Sequence, residues 1–143
     1  EKIAERQKPE IELYVTTSHK VEADIAELKL KKLYPALLDA GQDYYYTKSE
    51  DWAEIFDYIY FKFPMPSYLV ARTDCEDFAF LLKGLVSAFF GLNYFGVVFG
   101  WAPGGYHSWN IFKMEGELWQ FEPQTGEFFP FGEKGYLAEW VLL

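Results

Sequence analysis

The sequence predicts an α+β domain on three observations. Apolar residues follow helical spacing through much of the first half, the second half consists of aromatic and β-branched runs, and glycine-containing turns separate those runs at hairpin spacing. With 143 residues, one domain spanning 1–143 is expected. Half of the residues are apolar, and 14 Phe, 11 Tyr and 5 Trp supply ample ring area for a core, which excludes intrinsic disorder. The aromatic surplus suits either a core or a ligand groove.

Thirteen basic against 22 acidic side chains leave a formal charge of −9. Such a surface repels phosphate backbones, and no basic cluster exceeds Lys29, Lys31 and Lys32, so no nucleic-acid partner is expected. The opening Glu1-Lys2-Ile3-Ala4-Glu5-Arg6 has no apolar h-region, so it does not read as a signal peptide. The apolar stretch from Phe78 to Trp101 has the length of a membrane span, but Gly91 and Asn93 interrupt it and divide it into a helix followed by a strand. No membrane partner is expected, and the signals favour the cytoplasm. One cysteine, Cys75, makes neither an internal disulfide nor a Cys-based zinc site. It is either a small buried hydrophobe or a nucleophile.

Along the chain, Ile11 to Thr17 is a short apolar run. Ser18 is placed to cap a helix with Val21, Ile25, Leu28 and Leu33 on one stripe, ending at Pro35. His19, at its first turn, reads as a capping or exposed residue. Ser49 is placed to cap a second helix presenting Trp52, Ile55, Phe56 and Ile59 on one side, and Phe63-Pro64-Met65-Pro66 must be extended or irregular. In the third helix Thr73 and Glu76 form a T-x-x-E capping box, and Phe78, Leu81, Leu82, Leu85 and Phe89 give an apolar face that ends at Gly91. Cys75 then lies in the first turn, where free backbone N–H groups favour a thiolate. Asp74, Glu76 and Asp77 oppose this, so a reactive thiol there needs a cationic partner such as imidazolium.

The second half reads as strands over Tyr94 to Trp101, Tyr106 to Met114 and Glu117 to Glu122, with a hairpin turn at Glu115-Gly116. A two-residue loop there sets Trp109 opposite Glu122 and His107 opposite Gln124, all four on one side of the sheet. His107 and Glu122 become diagonal neighbours, about 7 Å apart at Cα. A three-residue loop would reverse the parity. Singly, His107 also reads as a turn residue and Glu122 as a solvated strand end. Jointly, Cys75, His107 and Glu122 have the makings of nucleophile, base and orienter.

Thr73-Asp74-Cys75-Glu76-Asp77-Phe78-Ala79 resembles the D-C-x-D-[FY]-A block of the transglutaminase-like cysteine protease superfamily, of the bacterial or phage peptidase type. Tyr106-His107-Ser108-Trp109-Asn110 is similar to its H-x-W-N strand, and Trp119 to Gly126 to its W-x-x-[DE]-P-x-T block. The resemblance covers roughly residues 50 to 126, in the family's order. It implies a papain/transglutaminase-like core, with N-terminal helices and the nucleophile at a helix N-terminus packed on an antiparallel sheet. It further implies a Cys75–His107–Glu122 triad performing acyl transfer through a thioester, first of all hydrolysis of a peptide or isopeptide amide, with transamidation open. Glu122 stands where the family usually has Asp. The papain-type Gln before the cysteine is absent, leaving Tyr68, Trp52, Trp109 and Gln124 as candidates for oxyanion or substrate binding. No cofactor or metal is implied, and the partner would be a peptide or protein. The rival reading is a non-catalytic binding or structural module that keeps the fold, which exposed Trp101, Trp109 and Trp119 around an inert Cys75 would favour. A metal site at His107 is disfavoured because only two histidines exist.

Overall fold

The computed structural model describes residues 11–18, 24, 34–37, 42–65, 67–69 and 74–143. His19 and nearly all of the helix expected after Ser18 lie outside these residues, as does Thr73. The described residues before Ser49 include three short strands, β1 (Thr16–Ser18), β2 (Tyr34–Ala36) and β3 (Tyr44–Tyr46), with the helical residue Asp24 between β1 and β2. Helix α1 (Ser49–Asp57) runs into a π-helical turn (Tyr58–Lys62), and helix α2 covers Cys75–Phe90. Strands β4 (Phe95–Ala102), β5 (Gly105–Met114), β6 (Glu117–Phe121), β7 (Phe128–Pro130) and β8 (Leu137–Leu142) complete the chain.

A six-stranded sheet has the order β2-β8-β4-β5-β6-β7, and β1 pairs with β3 separately. The expected papain/transglutaminase-like architecture is corrected in two respects here. The strands β1, β2 and β3 add a β-rich N-terminal part that was not expected, Asp24 is the one described residue of the expected first helix and is helical, and the large sheet is mixed rather than antiparallel, because β2 runs parallel to β8. Ser18 ends a strand, and Pro35 sits in β2 at the sheet edge, where a missing N–H is tolerated.

The hairpin from β5 to β6 has the predicted two-residue turn. Glu115 and Gly116 both take positive φ, 52° and 80°, the pattern that matches strand twist. Met114 pairs with Glu117 and Asn110 with Phe121, so the even positions of β5 share a face with Phe121 while the odd positions turn the other way. On the first face, Phe95, Phe112, Met114 and Phe121 pack with Trp52 and Phe56 of α1 and with Leu82, Val86 and Phe89 of α2. The Phe56 and Phe121 rings stack at 4.3 Å. On the second face, Val98, Trp109, Ile111 and Val141 pack with Tyr44, Tyr94 and Leu143. The α1 stripe therefore buries as predicted, although Lys48 takes the N-cap position expected of Ser49.

Helix α2 is capped one residue later than expected. Asp74 is the N-cap and Asp77 the N3 residue of a reciprocal capping box, with the Asp74 N–H donating to Asp77 Oδ2 at 3.1 Å. Gly91 closes the helix in the left-handed conformation, φ 67°. Helix then strand replaces the continuous apolar span, and among the described residues no helix is long and apolar enough to cross a membrane.

Two contacts lock this frame. Asn110, fully buried, donates through Nδ2 to Ala79 O of α2 and Gly96 O of β4, both at 2.9 Å. Gly96 and Gly100 let β8 approach, since a Cβ at Gly100 would stand 2.1 Å from Leu137 O. A buried ion pair ties the first part of the chain to β5: Lys113 Nζ donates to Asp24 Oδ2 at 2.9 Å, and the Tyr94 hydroxyl donates to the same oxygen at 2.8 Å. Removing one partner strands the other charge in the interior. Lys113→Met is therefore expected to lower unfolding stability by about 3 kcal/mol, with part of the loss recovered in the Asp24→Asn, Lys113→Met double variant. Chemical denaturation measures both; a single variant as stable as the parent would remove this pair from the fold's supports.

Candidate functional site

The end of the sheet formed by the β4–β5 turn and the chain leaving β6 gathers most of the predicted residues. The His107 ring N–H, at Nε2, donates to Glu122 Oε2 at 2.7 Å. Local structure delivers this contact. Hairpin parity puts both residues on the second face, and a tight turn after β6, in which the Thr125 and Gly126 N–H groups donate to Glu122 O, curls the chain around the carboxylate. Glu122 is almost fully buried, and its charge is held by donors: Oε2 also accepts from the Tyr136 hydroxyl at 3.1 Å, and Oε1 from the Gln124 backbone N–H at 3.1 Å.

Tyr136 has no counterpart in the sequence reading. It arrives from the turn between β7 and β8, after Gly132 and Gly135, both at positive φ, and its ring stands edge-on to Trp109 at 5.0 Å. Burial first, then the neighbouring Glu122 charge, pushes its hydroxyl up to about 12, so it remains a donor throughout the neutral range. A cavity of about 430 Å³ opens over these groups, lined by His107, Glu122, Gln124, Thr125 and Tyr136 on one side and the Pro103–Tyr106 turn on the other. Nearby, the exposed rings of Trp101 and Tyr106 meet edge to face at 5.2 Å.

Cys75 occupies the first position of α2. Its thiol donates to Glu76 Oε2 at 3.4 Å, and the Ser108 backbone N–H, one residue beyond His107, points at the sulfur. Burial raises the thiol pKa, and Glu76 and Asp74 push the same way against the Ser108 N–H. The balance favours the neutral thiol. Tyr68 stands beside this helix end, stacked on Phe78 at 6.0 Å, with its hydroxyl hydrogen-bonded to the Gln124 side chain.

Two further candidates belong to the core. Trp52 is fully buried, its indole N–H donating to Lys113 O at 2.9 Å, and Trp109 is fully buried, donating to Gln120 Oε1 at 2.7 Å. Neither indole N–H is available to an oxyanion or substrate, which corrects both expectations. Of the tryptophans expected to mark a groove, Trp101 is half exposed, Trp119 is partly buried and Trp109 is interior. Among the described residues, the Asp74, Glu76 and Asp77 carboxylates lie within 4.8 Å of one another and are the group that could hold a cation. Capping accounts for Asp74 and Asp77, and Glu76 accepts from the Cys75 thiol.

No family model and no curated protein matches the chain. Solved structures do. A PSL1a–E64 complex aligns with 90% of this chain and 51% of its own at 22% identity and a TM-score of 0.72. Polyporus squamosus lectin, bound to the human-type influenza-binding epitope Neu5Acα2-6Galβ1-4GlcNAc, aligns with 89% of this chain and 49% of its own at 22% identity and a TM-score of 0.65. The chain shares its fold with these structures and spans about half their length.

The comparison corrects the assignment carried by the three motif blocks. One of these structural neighbours is a lectin, and on this comparison the transglutaminase-like protease resemblance, the papain-like fold class and the thiol peptidase or acyltransferase activity are all withdrawn. The surroundings of the thiol point the same way, since burial, with the Glu76 and Asp74 carboxylates beside it, keeps the sulfur protonated. Accordingly, iodoacetamide should label Cys75 more slowly than a free thiol between pH 6 and 8, with the rate rising only above the ordinary thiol range. Labelling faster than a free thiol in that window would mean an imidazolium–thiolate pair and would reverse the correction.

Proposed function

We propose that the chain is a carbohydrate-binding domain whose site is the cavity over His107, Glu122, Gln124 and Tyr136. The observation that carries this reading is a concave, polar site built on a buried and fully hydrogen-bonded carboxylate, with exposed rings at its edge. Sugar hydroxyls both donate and accept. The exposed amide of Gln124 does both, the Thr125 hydroxyl does both, and His107 and Tyr136 are held in fixed orientations by Glu122. Flat ring faces such as those of Trp101 and Tyr106 complement the C–H faces of a pyranose, an amphipathic contact of the kind aromatic side chains make at interfaces. The fold shared with a lectin supports the same reading.

The charge of the site narrows the ligand. Among the described residues no Lys or Arg lines the cavity, Glu122 backs it, and the chain carries a net charge of −9. A neutral saccharide is favoured over an acidic one, because a sugar carboxylate would meet repulsion with no fixed cation to offset it. The ligand is a glycan and replaces the peptide or protein partner expected from the sequence.

Titration calorimetry with Galβ1-4GlcNAc and with Neu5Acα2-6Galβ1-4GlcNAc tests this reading. The neutral disaccharide should bind more tightly at low salt, and the difference should narrow as ionic strength rises. Gln124→Ala should weaken binding about tenfold, a loss of roughly 1.4 kcal/mol, with the unfolding midpoint unchanged. Absence of binding to either glycan, or indifference to Gln124→Ala, would exclude this cavity as the site.

A further inference from the structure

A second cavity, of about 450 Å³, adjoins the first and differs from it in chemistry. Its walls are Ile59, Met65, Phe78, Leu82 and Phe121, with Tyr60 and Tyr68 toward the outside. Ile59, Leu82 and Phe121 are fully buried, so the floor is firm, while Met65 is partly exposed and has the flexible thioether that adapts to a guest. Gln124 lines both cavities. Its backbone is held from two sides, by the N–H bond to Glu122 Oε1 and by the Tyr60 hydroxyl donating to Gln124 O at 3.3 Å, and its side chain meets the Tyr68 hydroxyl. One fixed residue thus separates a polar chamber from an apolar one.

A site of this shape suits a ligand with two chemistries joined at one point. We propose that the natural ligand is a glycoside with an apolar aglycone, its sugar in the polar cavity and its aglycone in the apolar one. This rests on the carbohydrate reading above and specifies it. The occupant of the second cavity is assigned from adjacency: Gln124 lines both cavities, so a group attached to a sugar seated over Gln124 lies beside the apolar chamber, whereas an unrelated apolar molecule would leave the polar chamber unused. Burial of the aglycone supplies affinity that hydroxyl contacts, traded against water, supply poorly. Exposed aromatic rings at the mouth, Tyr60 and Tyr68, suit an aryl group in particular.

The test compares the phenyl and methyl β-glycosides of Galβ1-4GlcNAc on the full chain, by calorimetry and by proton NMR. The phenyl glycoside should bind at least tenfold more tightly, with shifts and intermolecular contacts at the Met65 methyl. Met65→Glu, at a partly exposed position, should abolish the gain while leaving methyl glycoside affinity within twofold. Equal affinities for the two glycosides would overturn the aglycone assignment and leave the carbohydrate reading standing. A phenyl gain that persists in Met65→Glu without contact at position 65 would likewise overturn it. If neither glycoside binds, the carbohydrate reading itself fails and this inference fails with it.

Discussion

The two-residue turn at Glu115-Gly116 is the constraint on which the rest of the structure depends. A β-strand's side chains alternate with period two, so one extra residue in this loop would exchange the two faces of every later position. With the turn as it stands, Phe112 and Phe121 go to the helix side of the sheet and Trp109, Gln120, His107 and Glu122 to the other. Positive φ at Glu115 is unusual for a residue with a side chain, and Gly116 beside it makes the tight reversal feasible. Core and site are therefore set by the same backbone event.

Asn110 and Lys113 convert this register into a rigid body. Both are buried polar residues on β5, and each spends its donors on another element: Asn110 on α2 and β4, Lys113 on Asp24. Neither arrangement is needed for hydrophobic burial, which aliphatic residues would achieve at lower desolvation cost. What they add is uniqueness of placement, because a helix shifted by one turn would leave the Asn110 amide without its carbonyl at Ala79. The first turn of α2, and Cys75 with it, is positioned by this contact.

The legible parts of the sequence were those governed by local rules. The hairpin parity, the stripe Trp52-Ile55-Phe56-Ile59 and the stop at Gly91 follow from period and turn chemistry, and all appear in the structure. The short strands β1 and β2 do not announce themselves, since three residues are too few to show a period, and Pro35 reads as a helix stop unless its edge position is known. Tyr136 was illegible because its place at Glu122 is made by tertiary structure, from a turn with no pattern of its own. The motif blocks misled on activity for a related reason. Many of the residues that carry them have architectural work: Asp74 caps α2, Phe78 and Trp109 pack in the interior, Ala79 offers its carbonyl to Asn110, and Asn110 clamps helix to sheet. A fold keeps such residues for packing and hydrogen bonding, whatever chemistry the chain performs.

Electrostatics finally explains why the polar cavity is fixed with no lysine or arginine among its described lining residues. Three donors converge on the Glu122 carboxylate, and only His107 among them carries a charge when protonated. Tyr136 stays protonated because burial and the adjacent carboxylate both oppose its ionisation, so its hydroxyl remains a donor to Glu122 across the neutral range. Each donor is thereby immobilised before any ligand arrives. A ligand meeting groups already ordered loses less entropy on binding, and weak hydroxyl contacts then suffice where flexible surface side chains would give none. The same buried charge repels acids and leaves neutral hydroxyls as the chemistry the cavity accommodates best.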